Sequence, residues 1–273
     1  MDASVLNGLH ILVVDDNEFN RTVARDTLRS KCDVEITEAV NGQEAVDLLK
    51  EQDFDVILMD VQMPVMDGFE ATRQIRDHFP SPKNKIQIIA LTASVVRSDL
   101  DKCRAAGIDD YIAKPFKAMQ LLATIAKATG REIRLIENAS APSLLSEGGS
   151  TVEVDDHILR VTDLTYLEKF CEGDTMRMNK YITMFLDSAP GLTDRIRQAI
   201  VEENYAELAS QIHAYKTRWI MMGMNEAKDL ALLIESACRE DGNPDMIKQN
   251  TVLLLAQIEA AATELKTTTF QSN

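Results

Sequence analysis

Three carboxylates, one hydroxyl and one ammonium group stand at the ends of short apolar segments in the first half of the chain. Asp15 and Asp16 follow the first segment, and Asp60 and Thr92 close two later ones. Lys114 follows the last segment. If these segments are parallel strands of one sheet, their carboxyl ends meet at one crevice, where such sheets bind ligands. The pattern therefore predicts one shared site.

The chemistry of this predicted site indicates a divalent cation and a phosphoryl group. Three adjacent carboxylates repel one another and resist joint ionisation unless a cation lies between them. A site made only of oxygen ligands, with room for water, suits Mg²⁺. Together with the ammonium of Lys114, such a cation would offset the charge of a phosphoryl group on Asp60.

The elements that must position these groups alternate between strand and helix. Apolar runs predict strands at His10–Val14, Val34–Glu38, Phe54–Met59, Ile86–Leu91 and Tyr111–Ala113. Helical patterns cover residues 18–30, 42–51, 68–78, 95–106 and 116–128. Nearly continuous apolar strands that alternate with helices predict a doubly wound α/β fold, in which helices cover both faces of a five-stranded parallel sheet.

The second half of the chain changes character. Residues 131–158 contain the runs NASAPS and GGST and predict a linker between domains at residues 8–130 and 159–268. Helical periodicity then returns in residues 164–171, 174–188, 191–203, 205–222, 225–240 and 244–267. We place N-caps at Asp174, Asn204 and Asn225 and a break at Pro190-Gly191. Short connections between these helices predict a four-helix bundle with accessory helices.

One predicted helix of the second half carries a histidine away from its apolar face. At about 100° per residue, one core stripe is formed by Leu208, Ile212, Tyr215, Trp219 and Met222. His213 lies roughly 140° from the centre of that stripe and Lys216 roughly 80° from it. A neutral imidazole on the solvent side can attack an acyl phosphate, and Lys216 can stabilise the phosphoryl oxygens. The same geometry also fits a surface histidine beside a surface lysine.

Composition argues against several classes of function. The formal net charge is −15 and both halves are acidic, which argues against binding to nucleic acid. No apolar run approaches the length of a membrane span. The four cysteines are far apart and lack metal-type spacing, which favours free thiols in a reducing cytoplasm. No glycine-rich ATP-binding pattern is evident, so no kinase catalytic domain is expected in these residues.

Four segments of the first half resemble a receiver domain of two-component signalling, especially receivers attached to hybrid sensor kinases. They are residues 13–21 (VVDDNEFNR), 55–68 (DVILMDVQMPVMDG), 89–94 (IALTAS) and 106–115 (AGIDDYIAKP). The resemblance implies the flavodoxin-like strand order 2-1-3-4-5. It also implies that Asp60 is the phosphoacceptor. The ligands of Mg²⁺ would then be Asp15, Asp16, Asp60 and the backbone carbonyl of Gln62.

The same resemblance implies roles for residues around the acceptor. Thr92 would hydrogen-bond the phosphoryl group, and Tyr111 would be an aromatic switch that turns inward when Thr92 moves. Lys114 would pair with the phosphoryl group, and the family often holds the peptide bond to Pro115 in the cis form. We expect Lys114 to project into a solvated crevice and to matter more for conformational coupling than for folding.

Three segments of the second half are similar to a histidine phosphotransfer (HPt) domain. They are residues 181–192 (YITMFLDSAPGL), 209–216 (ASQIHAYK) and 232–235 (LLIE), and Gly223 follows His213 by ten positions. The resemblance implies that His213 carries a phosphoryl group. The chain departs from the family at Thr217, where a glycine usually lets the partner site approach closely.

Together these expectations predict a phosphorelay protein. Asp60 would accept a phosphoryl group from an upstream histidine kinase and pass it to His213, which would pass it to a downstream response regulator receiver. A flexible linker of about 25 residues reaches roughly 25–30 Å, which is enough for transfer within one chain. The alternatives are a phosphorylation-switched interaction module with a non-transferring helical adaptor and, more weakly, a Mg²⁺-dependent phosphohydrolase. Both a free relay protein and the C-terminal part of a hybrid kinase fit the sequence.

Overall fold

The computed structural model describes residues 3–92, 97–131, 160–240 and 242–268, which include an α/β unit followed by a helical unit. The strands of the α/β unit are β1 (His10–Val14), β2 (Glu35–Ala39), β3 (Val56–Asp60), β4 (Gln87–Thr92) and β5 (Asp110–Ala113). All neighbouring strands are parallel, in the order β2-β1-β3-β4-β5. The predicted sheet and its strand order are confirmed. The predicted linker lies, apart from Arg131, outside the described residues.

Three strands begin slightly later than the apolar runs that predicted them. The clearest case is β3, which begins at Val56 although the run begins at Phe54. The ring of Phe54 packs against the ring of His10, with 4.4 Å between the ring centroids. Phe54 is therefore apolar because it packs against His10, and it is not part of strand β3.

Helices cover both faces of this sheet. They are α1 (Glu18–Arg29), α2 (Gly42–Glu51), α3 (Gly68–His78), α4 (Arg97–Ala106) and α5 (Ala118–Ala128). Helices α1 and α5 pack on one face, and α2, α3 and α4 pack on the other. Leu28 of α1 and Ile125 of α5 are fully buried. Each such side chain stabilises the fold by about 1.5–3 kcal/mol relative to its exposed state.

The helical unit contains one short helix and four long ones. They are α6 (Thr165–Phe170), α7 (Thr175–Val201), α8 (Tyr205–Met221), α9 (Asn225–Arg239) and α10 (Pro244–Lys266). Each of the four long helices contacts the next, and α10 closes the ring against α7. We call these four helices the bundle. The predicted four-helix bundle is confirmed.

The predicted helix break at Pro190-Gly191 is wrong, because α7 continues through it as one helix of 27 residues. Pro190 and Gly191 lie on the exposed side of α7. Ala189 and Leu192 beside them are buried and continue the apolar stripe. A proline inside a helix removes one hydrogen bond and crowds the preceding turn. Here the uninterrupted burial along α7 outweighs that local cost.

Two of the three predicted N-caps are correct. Asp174 and Asn204 each accept a hydrogen bond from the backbone amide three residues later. At α9 the prediction is wrong, since Met224 occupies the cap position and Asn225 is the first helical residue. Met224 is fully buried. Packing of this side chain, instead of a capping hydrogen bond, positions the start of α9.

The α/β unit docks on the bundle through α1. Buried apolar residues beneath α1 and α5 form one continuous cluster with the apolar core of the bundle. Phe19 of α1 is fully buried and meets Tyr181 of α7 edge-on, with 5.6 Å between the ring centroids. This contact places α1, which begins directly after Asp15 and Asp16, beside the bundle.

Two expectations from composition concern the whole chain. Cys32, Cys103, Cys171 and Cys238 are all free thiols, as predicted. Among the helices that the structure describes, none has the length and apolar character that a membrane span requires.

Candidate functional site

The three predicted carboxylates meet at the carboxyl edge of the sheet, where we call them the acidic cluster. Oxygen atoms of Asp15, Asp16 and Asp60 all lie within 4.8 Å of one another. Asp15 and Asp60 are buried because they follow or close buried strands, whereas Asp16 is more exposed. Lys114 enters from the end of β5, and its Nζ lies 2.5 Å from Oδ2 of Asp15 and 2.8 Å from Oδ2 of Asp60.

The predicted solvated position of Lys114 is therefore wrong. Only 6% of its side chain is exposed, because the ammonium lies between two buried carboxylates. Burial acts to lower the pKa of Lys114, but the charges of Asp15 and Asp60 outweigh it and raise the pKa above its usual value. Lys114 therefore stays charged and neutralises part of the acidic cluster.

The acidic cluster still carries more negative charge than Lys114 can offset. Burial raises the pKa of Asp60 to about 7, although Lys114 opposes the shift. Burial and the nearby Asp15 also raise the pKa of Asp16. A carboxylate whose ionised form is this costly is well placed to receive a cation.

The remaining predicted receiver residues surround the acidic cluster. Thr92 closes β4 and is buried. The backbone amide of Gln62 donates to Oδ1 of Asp60 at 3.3 Å. Tyr111 lies on β5 with 38% of its surface exposed, and the Lys114–Pro115 peptide bond is cis.

A glycine at the start of α3 permits the local backbone to approach Asp60. A Cβ atom on Gly68 would lie 2.1 Å from the backbone oxygen of Asp60, which is an impossible contact. Asp67 before it caps α3 by accepting from the amide of Glu70 at 2.7 Å. The Asp67-Gly68 pair therefore shapes the loop that follows the acidic cluster.

In the bundle, His213 makes a contact that the sequence analysis missed. Its Nδ1 lies 3.0 Å from Oε1 of Glu235 on α9. Burial acts to raise the pKa of Glu235, but the hydrogen bond with His213 and the charge of Lys216 lower it below its usual value. An ionised carboxylate only accepts hydrogen bonds, so Nδ1 carries the hydrogen. Nε2 of a neutral His213 then keeps its lone pair.

Lys216 is more buried than its place about 80° from the centre of the apolar stripe suggested. Its side chain is buried, and its Nζ lies 2.6 Å from Oε2 of Glu235. The helical wheel placed it near the margin of the apolar stripe, and the neighbouring helix α9 covers that margin. The motif LLIE contains Glu235, but nothing in that motif alone indicates that its carboxylate joins His213 to Lys216.

Two members of the acidic cluster and His213 line one cavity between the α/β unit and the bundle, of about 410 Å³. Asp16, Asp60 and Lys114 line it from one side, and His213 and Thr217 line it from the other. His213 turns away from the bundle core, as predicted, but it faces the α/β unit, and only 18% of its side chain is exposed. Thr217, in place of the usual glycine, is accommodated in this arrangement.

Polar contacts along α1 fix this arrangement. Near the acidic cluster, Nδ2 of Asn17 donates to the backbone oxygen of Ala214, the residue after His213. Farther along α1, Asp26 accepts hydrogen bonds from Nζ of Lys180 at 2.6 Å and from the hydroxyl of Tyr181 at 3.2 Å. The sequence patterns considered each half separately and could not identify these contacts.

Comparisons with known proteins agree with this architecture. Residues 11–126 match the family model of the response regulator receiver domain, and residues 180–267 match that of the Hpt domain. Probable histidine kinase 5 of Oryza sativa subsp. japonica is 40% identical over 142 residues, covering 45% of this chain and 12% of the relative. The signal transduction histidine-protein kinase BarA of Escherichia coli is 27% identical over 258 residues, covering 93% of this chain and 26% of the relative. The chain thus spans only a small part of each relative's length.

A solved structure is also similar to the first half of the chain. It is the receiver domain of a sensor histidine kinase from Pseudomonas aeruginosa, crystallised with a magnesium ion coordinated in its active-site cleft. Its sequence is 40% identical, and the match covers 45% of this chain and 98% of that domain, with a TM-score of 0.42.

The two domain matches and the fold define a protein of two-component phosphorelay signalling. Residues 11–126 of this chain form a response regulator receiver domain, and residues 180–267 form an Hpt domain.

Proposed function

We propose that this chain transfers a phosphoryl group from Asp60 of its receiver domain to His213 of its Hpt domain. An upstream histidine kinase would load Asp60, and a downstream response regulator receiver would take the group from His213. The observation that carries the proposal is that both residues line one cavity between the docked domains. Phosphoryl transfer needs little covalent chemistry from a protein beyond such positioning and charge stabilisation.

The transfer is an in-line displacement at phosphorus. Nε2 of His213 forms a bond to phosphorus, the bond from phosphorus to the Asp60 oxygen breaks, and that oxygen keeps the electron pair. Glu235 accepts a hydrogen bond from Nδ1, which orients the imidazole and stabilises the positive charge that develops on it. Lys114 stabilises the Asp60 carboxylate that is released.

The other site residues have supporting roles in this scheme. Thr92 hydrogen-bonds the phosphoryl group on Asp60, and Tyr111 changes position with Thr92. Lys216 acts through Glu235, because its ammonium pairs with that carboxylate. It therefore positions the acceptor imidazole through Glu235 instead of contacting the phosphoryl oxygens directly.

A magnesium ion fits the acidic cluster. Asp15, Asp16 and Asp60 would hold it, together with the backbone carbonyl of Gln62. Their carboxylate oxygens lie close together, and three carboxylates face the single ammonium of Lys114. Bound there, the cation would offset the charge of an incoming phosphoryl donor.

Labelling with radioactive acetyl phosphate tests these assignments. An acyl phosphate is labile in base, whereas phosphohistidine is labile in acid and stable in base. Wild type with Mg²⁺ should accumulate base-stable label on His213, Asp60→Asn should accumulate none, and His213→Gln should hold only base-labile label. Addition of EDTA should remove both labels. Equal labelling of Asp60→Asn in EDTA would overturn the receiver-site assignment.

A mixing experiment tests whether transfer occurs within one chain. Asp60→Asn mixed with His213→Gln permits transfer only between chains. Tethered domains can reach an effective concentration in the millimolar range, so this mixture should label His213 much more slowly than wild type at about 1 μM protein. Labelling at the wild-type rate would show that His213 serves receivers on any chain. Absence of base-stable label in wild type would favour the interaction module with a non-transferring bundle.

The setting of the relay is part of the same proposal. The chain would work in the cytoplasm, where its four free thiols stay reduced. Its formal net charge of −15 favours protein partners over nucleic acid.

A further inference from the structure

Arg218 lies at the contact between the two domains with its guanidinium against two aromatic rings. Its Cζ lies 5.0 Å from the ring centroid of Phe19 in the receiver domain and 4.2 Å from that of Tyr215 in the Hpt domain. Only 7% of Arg218 is exposed. Since Phe19 covers the guanidinium from the receiver side, separation of the domains would return this charge to water.

In the docked position, contacts with the protein replace little of the hydration that Arg218 loses. Among the described residues, Nε and Nη1 of Arg218 have no hydrogen-bond partner, and no carboxylate forms an ion pair with it. Burial lowers the pKa of Arg218, and electrostatic interactions with Tyr215, which include a hydrogen bond, and with Glu18 only partly oppose this shift. Cation–π contacts recover part of the cost, but a buried charge without a counter-charge opposes the packing that buries it.

The rest of the interface favours docking. Phe19 is fully buried against Tyr181, and Asp26 accepts hydrogen bonds from Tyr181 and Lys180. Arg218 therefore weakens a contact that is otherwise apolar and complementary in charge. A hydrophobic side chain of similar length would pack against the same two rings without the desolvation cost.

The face of the bundle that α1 covers is also the face beside His213. The side chain of Asn17 is hydrogen-bonded to the backbone of Ala214, next to the imidazole. Any second receiver that takes a phosphoryl group from His213 has to bring its own acidic cluster to this place. The chain's own receiver domain must therefore leave first.

We propose that Arg218 keeps the receiver domain's docking reversible, so that the same bundle face is released to a second receiver domain. This inference rests on the proposed function, because it assumes that His213 passes its phosphoryl group onward. The partner is a receiver whose first helix presents an aromatic or large apolar residue and, two helical turns later, an acid. These groups would occupy the places of Phe19 and Asp26 against Tyr181 and Lys180.

Onward transfer to a second copy of the chain tests this proposal. The donor is labelled at His213, and the acceptor is a tagged His213→Gln copy with an intact Asp60. An Arg218→Met donor should label its own His213 but deliver label to the acceptor about tenfold more slowly than a wild-type donor does. A tenfold change corresponds to about 1.4 kcal/mol of additional docking free energy. Arg218→Lys, which keeps the charge, should deliver at nearly the wild-type rate. Arg197→Met, an exposed change on α7, is the matched control.

Amide hydrogen exchange in α1, without any phosphoryl donor, provides a second measurement. Exchange should be slower in Arg218→Met than in wild type, because the docked state is more populated. Equal delivery rates of the wild-type and Arg218→Met donors, or equal exchange in α1 of these two chains, would overturn the role of Arg218. An Arg218→Met chain that labels Asp60 but not His213 would show that Arg218 promotes docking, which also overturns it. Failure of wild type to label His213 contradicts the relay itself, and the exchange measurement still decides the role of Arg218.

Discussion

Nδ1 of His213 lies 3.0 Å from Oε1 of Glu235, and this carboxylate joins the imidazole to the buried ammonium of Lys216. The contact fixes which ring nitrogen carries the hydrogen. It also leaves Nε2 of the neutral ring with its lone pair, and His213 lines the same cavity as Asp60.

Removal of the Glu235 carboxylate should slow phosphorylation of His213. In Glu235→Ala the imidazole loses its orienting acceptor and Lys216 becomes a buried, unpaired charge. We expect a loss of roughly tenfold or more in the rate of base-stable labelling, smaller than a typical general-base effect because Glu235 only orients the imidazole. Glu235→Gln, which keeps an oxygen acceptor, should lose less. Glu202→Ala, an exposed change at the end of α7, should leave the rate unaffected. Equal rates in Glu235→Ala and wild type would show that this contact does not position His213.

Asp60 should make the stability of the receiver domain depend on pH in the absence of Mg²⁺. Its folded-state pKa of about 7 is above the usual unfolded value of about 4, so the folded state binds the proton more tightly. This contribution is fully present below about pH 4 and is lost as the pH rises towards 7. Urea titrations with EDTA should therefore show Asp60→Asn more stable than wild type at pH 8, by up to about 4 kcal/mol, and this advantage should be smaller at pH 5. A stability advantage of the variant that grows on acidification would contradict the raised pKa.

Lys114→Ala should lower the stability of the unphosphorylated receiver domain. The sequence suggested a solvated lysine with a small effect on folding, but its ammonium lies between buried Asp15 and Asp60. Removal of the ammonium leaves two buried carboxylates without a counter-charge. We expect the free energy of unfolding to fall by about 1–3 kcal/mol. This is less than the usual cost of breaking a buried ion pair, because the carboxylates can take up protons. Thermal unfolding with EDTA measures this. Lys127→Ala, whose pair with Asp110 is exposed, is the control, and an equal effect of both changes would show that burial of Lys114 is unimportant.

Charge reversal at Asp26 should weaken docking of α1 on the bundle. Asp26→Lys places a like charge beside Lys180 and removes the acceptor for the hydroxyl of Tyr181. We expect labelling of His213 to slow by about three- to tenfold, since partly exposed ion pairs contribute about 1 kcal/mol. The double variant Asp26→Lys with Lys180→Asp should recover part of the rate.

The control for this docking prediction is a pair away from the interface. Reversal of Glu203 and Lys248, an exposed pair between α7 and α10, should not change the labelling rate. If Asp26→Lys labels His213 as fast as wild type, the observed docking contact is not the one that supports transfer.

Some expectations from the sequence depended only on local pattern. Apolar runs that alternate with helical segments determined the parallel sheet, because a strand buried on both faces needs apolar side chains throughout. Once those strands are parallel, Asp15, Asp16 and Asp60 must lie at the same edge. The helical wheel likewise determined that His213 faces away from the bundle core, because helical spacing places it about 120° from Trp219.

Only the tertiary structure decided how these pieces act on one another. Three contacts join segments that are distant in the sequence. They are the pairing of Glu235 with His213, the packing of Phe19 over Arg218 and the burial of Lys114 beside Asp15 and Asp60. No local periodicity contains that information. The passage of α7 through Pro190 was decided in the same way, because burial along the whole helix outweighs one missing hydrogen bond. The sequence thus determined which groups enter the proposed phosphoryl transfer, and packing between the domains decided which of them face each other.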